Sequence, residues 1–360
     1  MTLSPHGDFA HGAETALPGL DPAALRKALL AQAREHGLEV LRDDGASLAI
    51  ATAYGRCRLI VEAGAARAEV DSPRADWLFA LKEALSEHAS AIDPAAAQRL
   101  RWSDAAPEGG RPPNFQLAEI LSAAPLGRDF LRVTARAEDL SAYGDDAIHF
   151  RLVLPPPGDP APEWPRIGPG GATIWPKGAK ALHRPVYTAR RVDAARGELT
   201  FDLFVHEGGR ASAWARSVAA GARVGLAGPG GGGVPRTRRI ALYADETGYP
   251  AVARILEALP PDATGHAVLS TTGAAPSSYP LPTHPGVRLR WLAQGSATRL
   301  ARIAIAERSD DPARSLWFAA EKAGAQMLRD WCRANGVDLR DHHVAAYWTR
   351  DESKQRGNRT

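Results

Sequence analysis

The sequence predicts a multidomain chain of α+β and α/β class: a small α+β module, an antiparallel β-barrel and a C-terminal parallel α/β domain. Three observations predict it. At 360 residues the chain is too long for one ordinary core. Short β-like runs fill its middle third, whereas strands alternate with helical segments in its last third. The stretch Ser103 to Pro113, rich in Pro, Gly and charge, reads as a linker after the first unit.

Residues 1–20 carry Gly, Pro and His without periodicity and are expected to be disordered. Asp21 and Pro22 read as an N-cap and first-turn proline, and Leu25, Leu29, Leu30 and Ala33 follow at helical spacing. Strands are predicted at 38–41, 47–52 and 57–62, with a weaker one at 68–71; Gly45, Gly55 and Gly64 fall in the turns. Ser72-Pro73 opens a second helix bearing Trp77, Leu78, Leu81 and Leu85, and this module is assigned to 21–102. Residues 114–230 hold strands at 130–134, 148–154, 199–205 and 223–227, a long Pro/Gly loop at 155–171 and a short helix at Ala213-Trp214-Ala215. Many short strands with one helix predict a small barrel. Residues 237–350 begin with a strand at 239–244 and a helix through Ile255 and Leu259. Further strands are predicted at 266–270, 287–291, 315–319 and 343–348, with a helix at 323–335. This βαβ alternation predicts a parallel nucleotide-binding sheet. The polar residues from Asp351 on are expected to be loose.

The net charge of +3 is small for this length, which argues against a nucleic-acid binder. Cys57 and Cys332 lie far apart, suit a reducing cytoplasm, and form neither a disulfide framework nor a metal knuckle. The histidines show no ligand spacing, so no metal site is assigned. No apolar run is long enough to span a bilayer, and no export signal stands at the start. A cytoplasmic monomer is expected.

Arg184-Pro185-Val186-Tyr187-Thr188-Ala189-Arg190 gathers a ring, a hydroxyl and two guanidinium groups. Such a set suits a flat cofactor: Tyr187 to stack, Thr188 to hydrogen-bond the hydride-accepting atom, an arginine to pair with phosphate. An edge strand with exposed arginines reads as well from these residues alone. Small residues around Ser212 open a helix whose amides suit a phosphate, although a plain capped turn is the simpler reading. Gly230–Gly233 permits a ligand to approach or a hinge to flex, and no G-x-G-x-x-G fingerprint is met. Asp245-Glu246-Thr247 sits where a strand end meets a helix start, suited to a ribose hydroxyl or to helix capping.

Further elements stand in a recognisable order between about 115 and 350. They are Leu131-Arg132-Val133-Thr134, Ile148 to Pro155, Tyr187-Thr188-Ala189-Arg190, Phe204-Val205-His206 and Ala211-Ser212-Ala213-Trp214-Ala215. Ala227-Gly228-Pro229, Asp245-Glu246-Thr247 with Pro250-Ala251, Trp317 with Glu321-Lys322-Ala323-Gly324, and Tyr347-Trp348 follow. Together they resemble the siderophore-interacting protein family, the ferric-siderophore reductases of the ferredoxin reductase superfamily. The resemblance implies an FAD-binding barrel and a nicotinamide domain using NADH or NADPH, with ferredoxin the reductant of some relatives. It implies single-electron reduction of a ferric siderophore and release of ferrous iron, with no protein ligand to iron. Tyr187 and Thr188 are implied to be catalytic. Arg184, Tyr187, Thr188, Arg190, His206, Ser212, Ala213, Trp214, Asp245, Thr247 and Glu321 are implied to touch cofactors. Lys177, Lys180, Arg190 and Arg191 are the basic candidates for an anionic chelate; no clear 2′-phosphate arginine pattern stands in the sequence, Arg254, Arg299 and Arg302 being the arginines considered for it, and NADH against NADPH is left open.

Two positions depart from the family. Arg184 stands three residues before Tyr187 where the family usually has arginine two before, a difference a bulge would absorb; Ala320 replaces a common glycine. The N-terminal unit resembles a small uncharacterised module found before this reductase in some chains and alone in others, expected to support or dock. A general NAD(P)H:flavin or quinone reductase, and a siderophore-binding protein without flavin, are the alternatives.

Overall fold

The structure is a computed structural model and describes residues 9–62, 65–104, 107–309, 311, 313–339 and 342–350. The expectations for residues 1–8, for Gly64 and from Asp351 on lie outside the described residues.

The N-terminal module packs two helices on one face of an antiparallel sheet. Helix α1 (Pro22–His36) starts at Asp21, whose side chain accepts from Ala23 N–H at 2.9 Å, and stops at Gly37, held at φ 66°. Its buried stripe is Leu25, Leu29 and Ala33. Strands β1 (His11–Ala16), β2 (Val40–Asp43), β3 (Ser47–Thr52), β4 (Gly55–Glu62) and β5 (Ala65–Ser72) follow the spatial order β1-β5-β4-β3-β2. The expected disorder before residue 20 is thereby corrected. His11–Ala16 pairs with β5 along its length, because Ala13 and Thr15 alternate inward onto the core. Helix α2 (Ala75–Ile92) begins two residues after Pro73 and buries Trp77, Leu78, Leu81 and Leu85. A short α3 (Pro94–Ala97) ends the unit.

The barrel comprises β6 (Phe115–Leu126), β7 (Phe130–Ala137), β8 (His149–Val153), β11 (Val186–Thr188), β12 (Arg191–Asp193), β13 (Glu198–Phe204) and β14 (Arg223–Gly230). Two short strands, β9 (Arg166–Ile167) and β10 (Thr173–Ile174), pair within the long loop, and α4 (Arg210–Ser217) follows β13. The sheet order is β11-β8-β14-β6-β7-β13-β12. β11 and β12 stand at opposite edges yet are separated only by Ala189 and Arg190, so the chain itself brings the edges together. Ile120, Val133, Phe150, Leu152, Phe201 and Leu226 fill the interior. The sequence reading missed β6, although Ala118 and Ile120 turn into the barrel interior along it, while Phe115 packs in a separate cluster with Val153 and Ala227.

The last domain is parallel throughout. Its strands are β15 (Arg239–Ala244), β16 (Thr264–Ser270), β17 (Val287–Leu292), β18 (Arg314–Glu321) and β19 (His343–Trp348), in the order β17-β16-β15-β18-β19. Ile240, Leu242 and Ala244 face helix α5 (Tyr249–Ala258), while Ala241 and Tyr243 face α6 (Ala297–Ala306) and α7 (Lys322–Ala334). Strand order reverses between β15 and β18, so a crevice opens at their carboxyl ends. Among the described residues no helix is long and apolar enough to cross a membrane.

Candidate functional site

β11 runs beside β8 with Tyr187 opposite Phe150 and Thr188 opposite His149. Strand alternation therefore sends Tyr187 and Thr188 to opposite faces. The Tyr187 ring lies 5.5 Å from Phe201 at the seam between β11 and β13; it is half-buried, and burial pushes its hydroxyl pKa up. Thr188 is buried on the outer face with His149.

The expected bulge is not present. Pairing runs in one register from Leu154–His183 through Leu152 N–H to Pro185 O and on to His149–Thr188. Arg184 consequently shares the Thr188 face, not the Tyr187 face. Its guanidinium sits 4.2 Å from the Trp175 ring centroid, a cation–π contact.

α4 starts at the seam, at Gly209, with no side chain capping its first amides. Ser212 is not the cap: its hydroxyl accepts from His206 N–H at 3.2 Å and fixes the turn. A Cβ at Gly209 would lie 2.6 Å from the His206 ring, which would have to turn aside to admit it. Ala213 is exposed, and Trp214 packs on the barrel core. Arg210 stands at the helix start, with Nη2 donating to Pro155 O at 3.1 Å; burial, with the Arg210 charge adding to it, lowers the pKa of His183. Open amides, the helix dipole and a guanidinium together make an anion cradle of the kind a pyrophosphate needs. Arg210 was not anticipated from sequence; its position at the helix start was the available signal.

The basic candidates divide. Lys180 Nζ is held by Asp159 at 2.8 Å and Ala161 O at 2.9 Å. Arg190 makes a bidentate pair with Glu257 at 2.5 and 2.6 Å, and only 3% of its side chain is exposed. Arg190 is thus turned to α5 rather than to the α4 cradle, because the chain crosses between barrel edges at this point. Arg191 lies 3.5 Å from the same carboxylate and is mostly exposed; Lys177 is exposed. Arg254 donates to Ala189 O, to Gly144 O at 2.8 Å and to Asp145 at 3.0 Å, which makes it a domain tie rather than a 2′-phosphate ligand. Arg299 and Arg302 are exposed on α6. A cleft of about 590 Å³ opens beside Arg190, Arg254, Thr200 and Glu257, and Tyr187 is not among its lining residues. Its charged groups largely satisfy one another, and the seam, not this cleft, gathers the cradle residues. Lys180→Ala is expected to change chelate reduction by less than about twofold, since removing a half-exposed ion pair perturbs little; a tenfold loss would return Lys180 to the substrate site.

At the crevice Asp245 is saturated. Oδ1 accepts from Thr247 N–H at 3.1 Å and Oγ1 at 2.6 Å; Oδ2 accepts from Glu321 N–H at 3.0 Å and Trp348 Nε1 at 2.8 Å. Burial raises its carboxyl pKa. Glu321 caps α7 by accepting from Ala323 N–H at 2.8 Å. These carboxylates hold the strand ends and cap the helix start, the capping alternative offered for Asp245. Neighbouring Tyr347 meets His149 Nε2 at 2.5 Å, so the last residues of β19 touch both the crevice and the strand beside Thr188.

Comparison with known proteins covers the second and third units. Residues 119–233 match the siderophore-interacting FAD-binding domain and residues 237–351 the siderophore-interacting protein family. The NADPH-dependent ferric-chelate reductase of Escherichia coli K12 is 31% identical over 247 residues, spanning 65% of this chain and 92% of the relative. Ferric vibriobactin reductase ViuB of Vibrio cholerae is 32% identical over 163 residues, 43% of this chain and 58% of that one. Among solved structures, a siderophore utilization protein from T. fusca is 26% identical with a TM-score of 0.55, covering 68% of this chain and 96% of that chain. The siderophore-interacting protein SipS from Aeromonas hydrophila, 22% identical with a TM-score of 0.53 over 66% of this chain and 99% of its own, shares the fold.

Proposed function

Because this chain belongs to the siderophore-interacting protein family, we propose that it is an FAD-dependent ferric-siderophore reductase. One observation carries the reading. The domain that matches the family's FAD-binding domain places a half-buried tyrosine, an uncapped helix start and Arg210 along one barrel seam.

Bound FAD supplies acceptance of a hydride from NADPH or NADH and delivery of single electrons to ferric iron. Overall, one nicotinamide and two ferric ions give oxidised nicotinamide, a proton and two ferrous ions. The weaker hold of an oxygen-rich chelate on ferrous iron then releases the metal. Tyr187 and His206 line the seam, and the amides of Arg210, Ala211 and Ser212 with the Arg210 guanidinium would hold the pyrophosphate of a bound FAD. Thr188 offers a buried hydroxyl on the face turned to the dinucleotide domain. Asp245, Glu321 and Trp348 keep the ends of β15, β18 and β19 together, so that the nicotinamide meets a formed crevice. Of the basic candidates, Lys177 and Arg191 are left for an anionic chelate. The proposed setting is the cytoplasm, and the proposed state a monomer.

The test has two parts. Purified protein should show flavin absorbance and release FAD on denaturation. Anaerobic NADPH with a ferric catecholate or hydroxamate chelate and a ferrous trap should then yield ferrous iron. Colourless protein without FAD would overturn the enzyme reading, and quinone turnover without ferrous signal would favour a general quinone reductase.

A further inference from the structure

The N-terminal module touches both domains that form the site. Toward the barrel, Arg74 Nη2 donates to Ala142 O at 3.2 Å, Asn114 Nδ2 donates to Glu83 at 3.0 Å, and Trp102 N–H donates to Gly170 O at 3.3 Å. Toward the dinucleotide domain, Arg333 Nη2 donates to Arg34 O at 3.0 Å, and Lys322 lies 3.9 Å from Glu35.

Between these two footings the turn joining β3 to β4 projects Tyr54, set edge-on to Trp77 with ring centroids 5.7 Å apart. The Tyr54 hydroxyl accepts from Gly231 N–H. Gly231 has φ 75°, and a Cβ there would lie 2.8 Å from His149 Nδ1. At Gly232 a Cβ would lie 2.6 Å from His343 Nδ1. The glycine run is therefore not a free hinge: Gly231 and Gly232 are pressed between three units with no room for side chains. His149 stands opposite Thr188 and meets Tyr347; the next residue, Trp348, reaches Asp245 in the crevice. Tyr54, Gly231, His149 and Tyr347 form an unbroken line of contacts from the module to the junction of the flavin strand with the nucleotide crevice.

We propose that the module's hairpin is a third wall of that junction. Tyr54 is a positioning residue: it fixes the glycine run and, through His149 and Tyr347, the spacing of the barrel against the dinucleotide domain. Hydride transfer depends steeply on such spacing. The kinetic consequence rests on the reductase reading; the contact path does not.

Hydrogen exchange on the full-length, cofactor-free chain separates the two. Tyr54→Phe keeps the ring and removes the acceptor, and is expected to speed exchange at Gly231 and also along β19, with β17 unchanged. Gly230→Ala is the second variant: its Cβ would find only Tyr54 within 4 Å, nearest at 3.0 Å, and it should give the same pattern. Arg67→Ala, on the module's charged outer face, should leave β19 unchanged. In FAD-loaded protein, anaerobic bleaching of the flavin by NADPH should slow about fivefold in Tyr54→Phe, the factor one hydrogen bond is worth, with FAD content and KM for NADPH unchanged. Faster exchange confined to the hairpin and Gly231, or an unchanged bleaching rate in both variants, overturns the positioning role. Wild-type protein that holds no FAD sinks the reductase reading and leaves the exchange result to decide this one.

Discussion

Lowering the pH from 7.5 to 5 is expected to remove about 4 kcal/mol of folding stability, through two buried histidines. His149 and His343 stack with rings nearly parallel, 6.4 Å between centroids, and Trp317 lies 5.2 Å beyond His343. Burial pushes His149 down to about 4, with the Arg254 charge adding to it against a backbone contact from Gly232. Burial, His149 and Arg329 push His343 down to about 3. Both start from an ordinary value of 6.5. The folded state thus binds fewer protons than the unfolded chain throughout this window. Stability is full above pH 6.5, declines as protons load the unfolded chain, and levels off once the folded values are passed. Each histidine contributes about 1.4 kcal/mol per pH unit on that slope. His36, His88, His183 and His266 are also lowered by burial and act in the same direction. Urea midpoints at pH 7.5, 6 and 5 measure the effect. His343→Leu should flatten the dependence, and a midpoint constant to pH 5 would show that the pair does not stay neutral.

Tyr187→Ala is expected to weaken FAD binding roughly tenfold to a hundredfold, the range that loss of one stacking ring from a planar heterocycle produces. The ring is half-buried against Phe201, so truncation also opens a gap at the seam. Tyr187→Phe separates the two effects, because it keeps the ring and removes only the hydroxyl. It should retain FAD within a few-fold. Equilibrium titration of cofactor-free protein with FAD, followed by flavin fluorescence, reads both variants. Equal affinity in Tyr187→Ala and wild type would move the flavin away from the seam. Thr188→Ala, on the opposite face, should affect FAD retention less and flavin reduction by NADPH more.

Local rules carried much of the fold. Asp21-Pro22 starts α1, and the short apolar runs in 239–244 and 343–348 mark strands of a sheet covered on both faces. They failed where a weak local signal was completed by a distant partner. His11–Ala16 is a strand only because β5 offers it an edge, and β6 is long because β7 and β14 flank it.

The arginines show the limit most plainly. A guanidinium suits a phosphate and a carboxylate equally, so sequence cannot say which it meets. Arg190 meets Glu257, Arg254 meets barrel carbonyls and Asp145, and Arg210, unremarked in the sequence, stands at the open helix start. Asp245 likewise read as a ribose acceptor or a cap, and only the arrival of Trp348 and Glu321 around it fills its second oxygen.

The sequence by itself determined the class of each unit, the β11 segment that carries Tyr187 and Thr188 on opposite faces, and the order of elements that marks the family. Those properties follow from period, caps and spacing, which act over a few residues. Tertiary structure decided which charges remain free for ligands, that Arg184 shares the Thr188 face, and that the glycine run is gripped by Tyr54 and His149. These are pairings between residues far apart in the chain, and their geometry is set by packing of whole units, not by any local pattern.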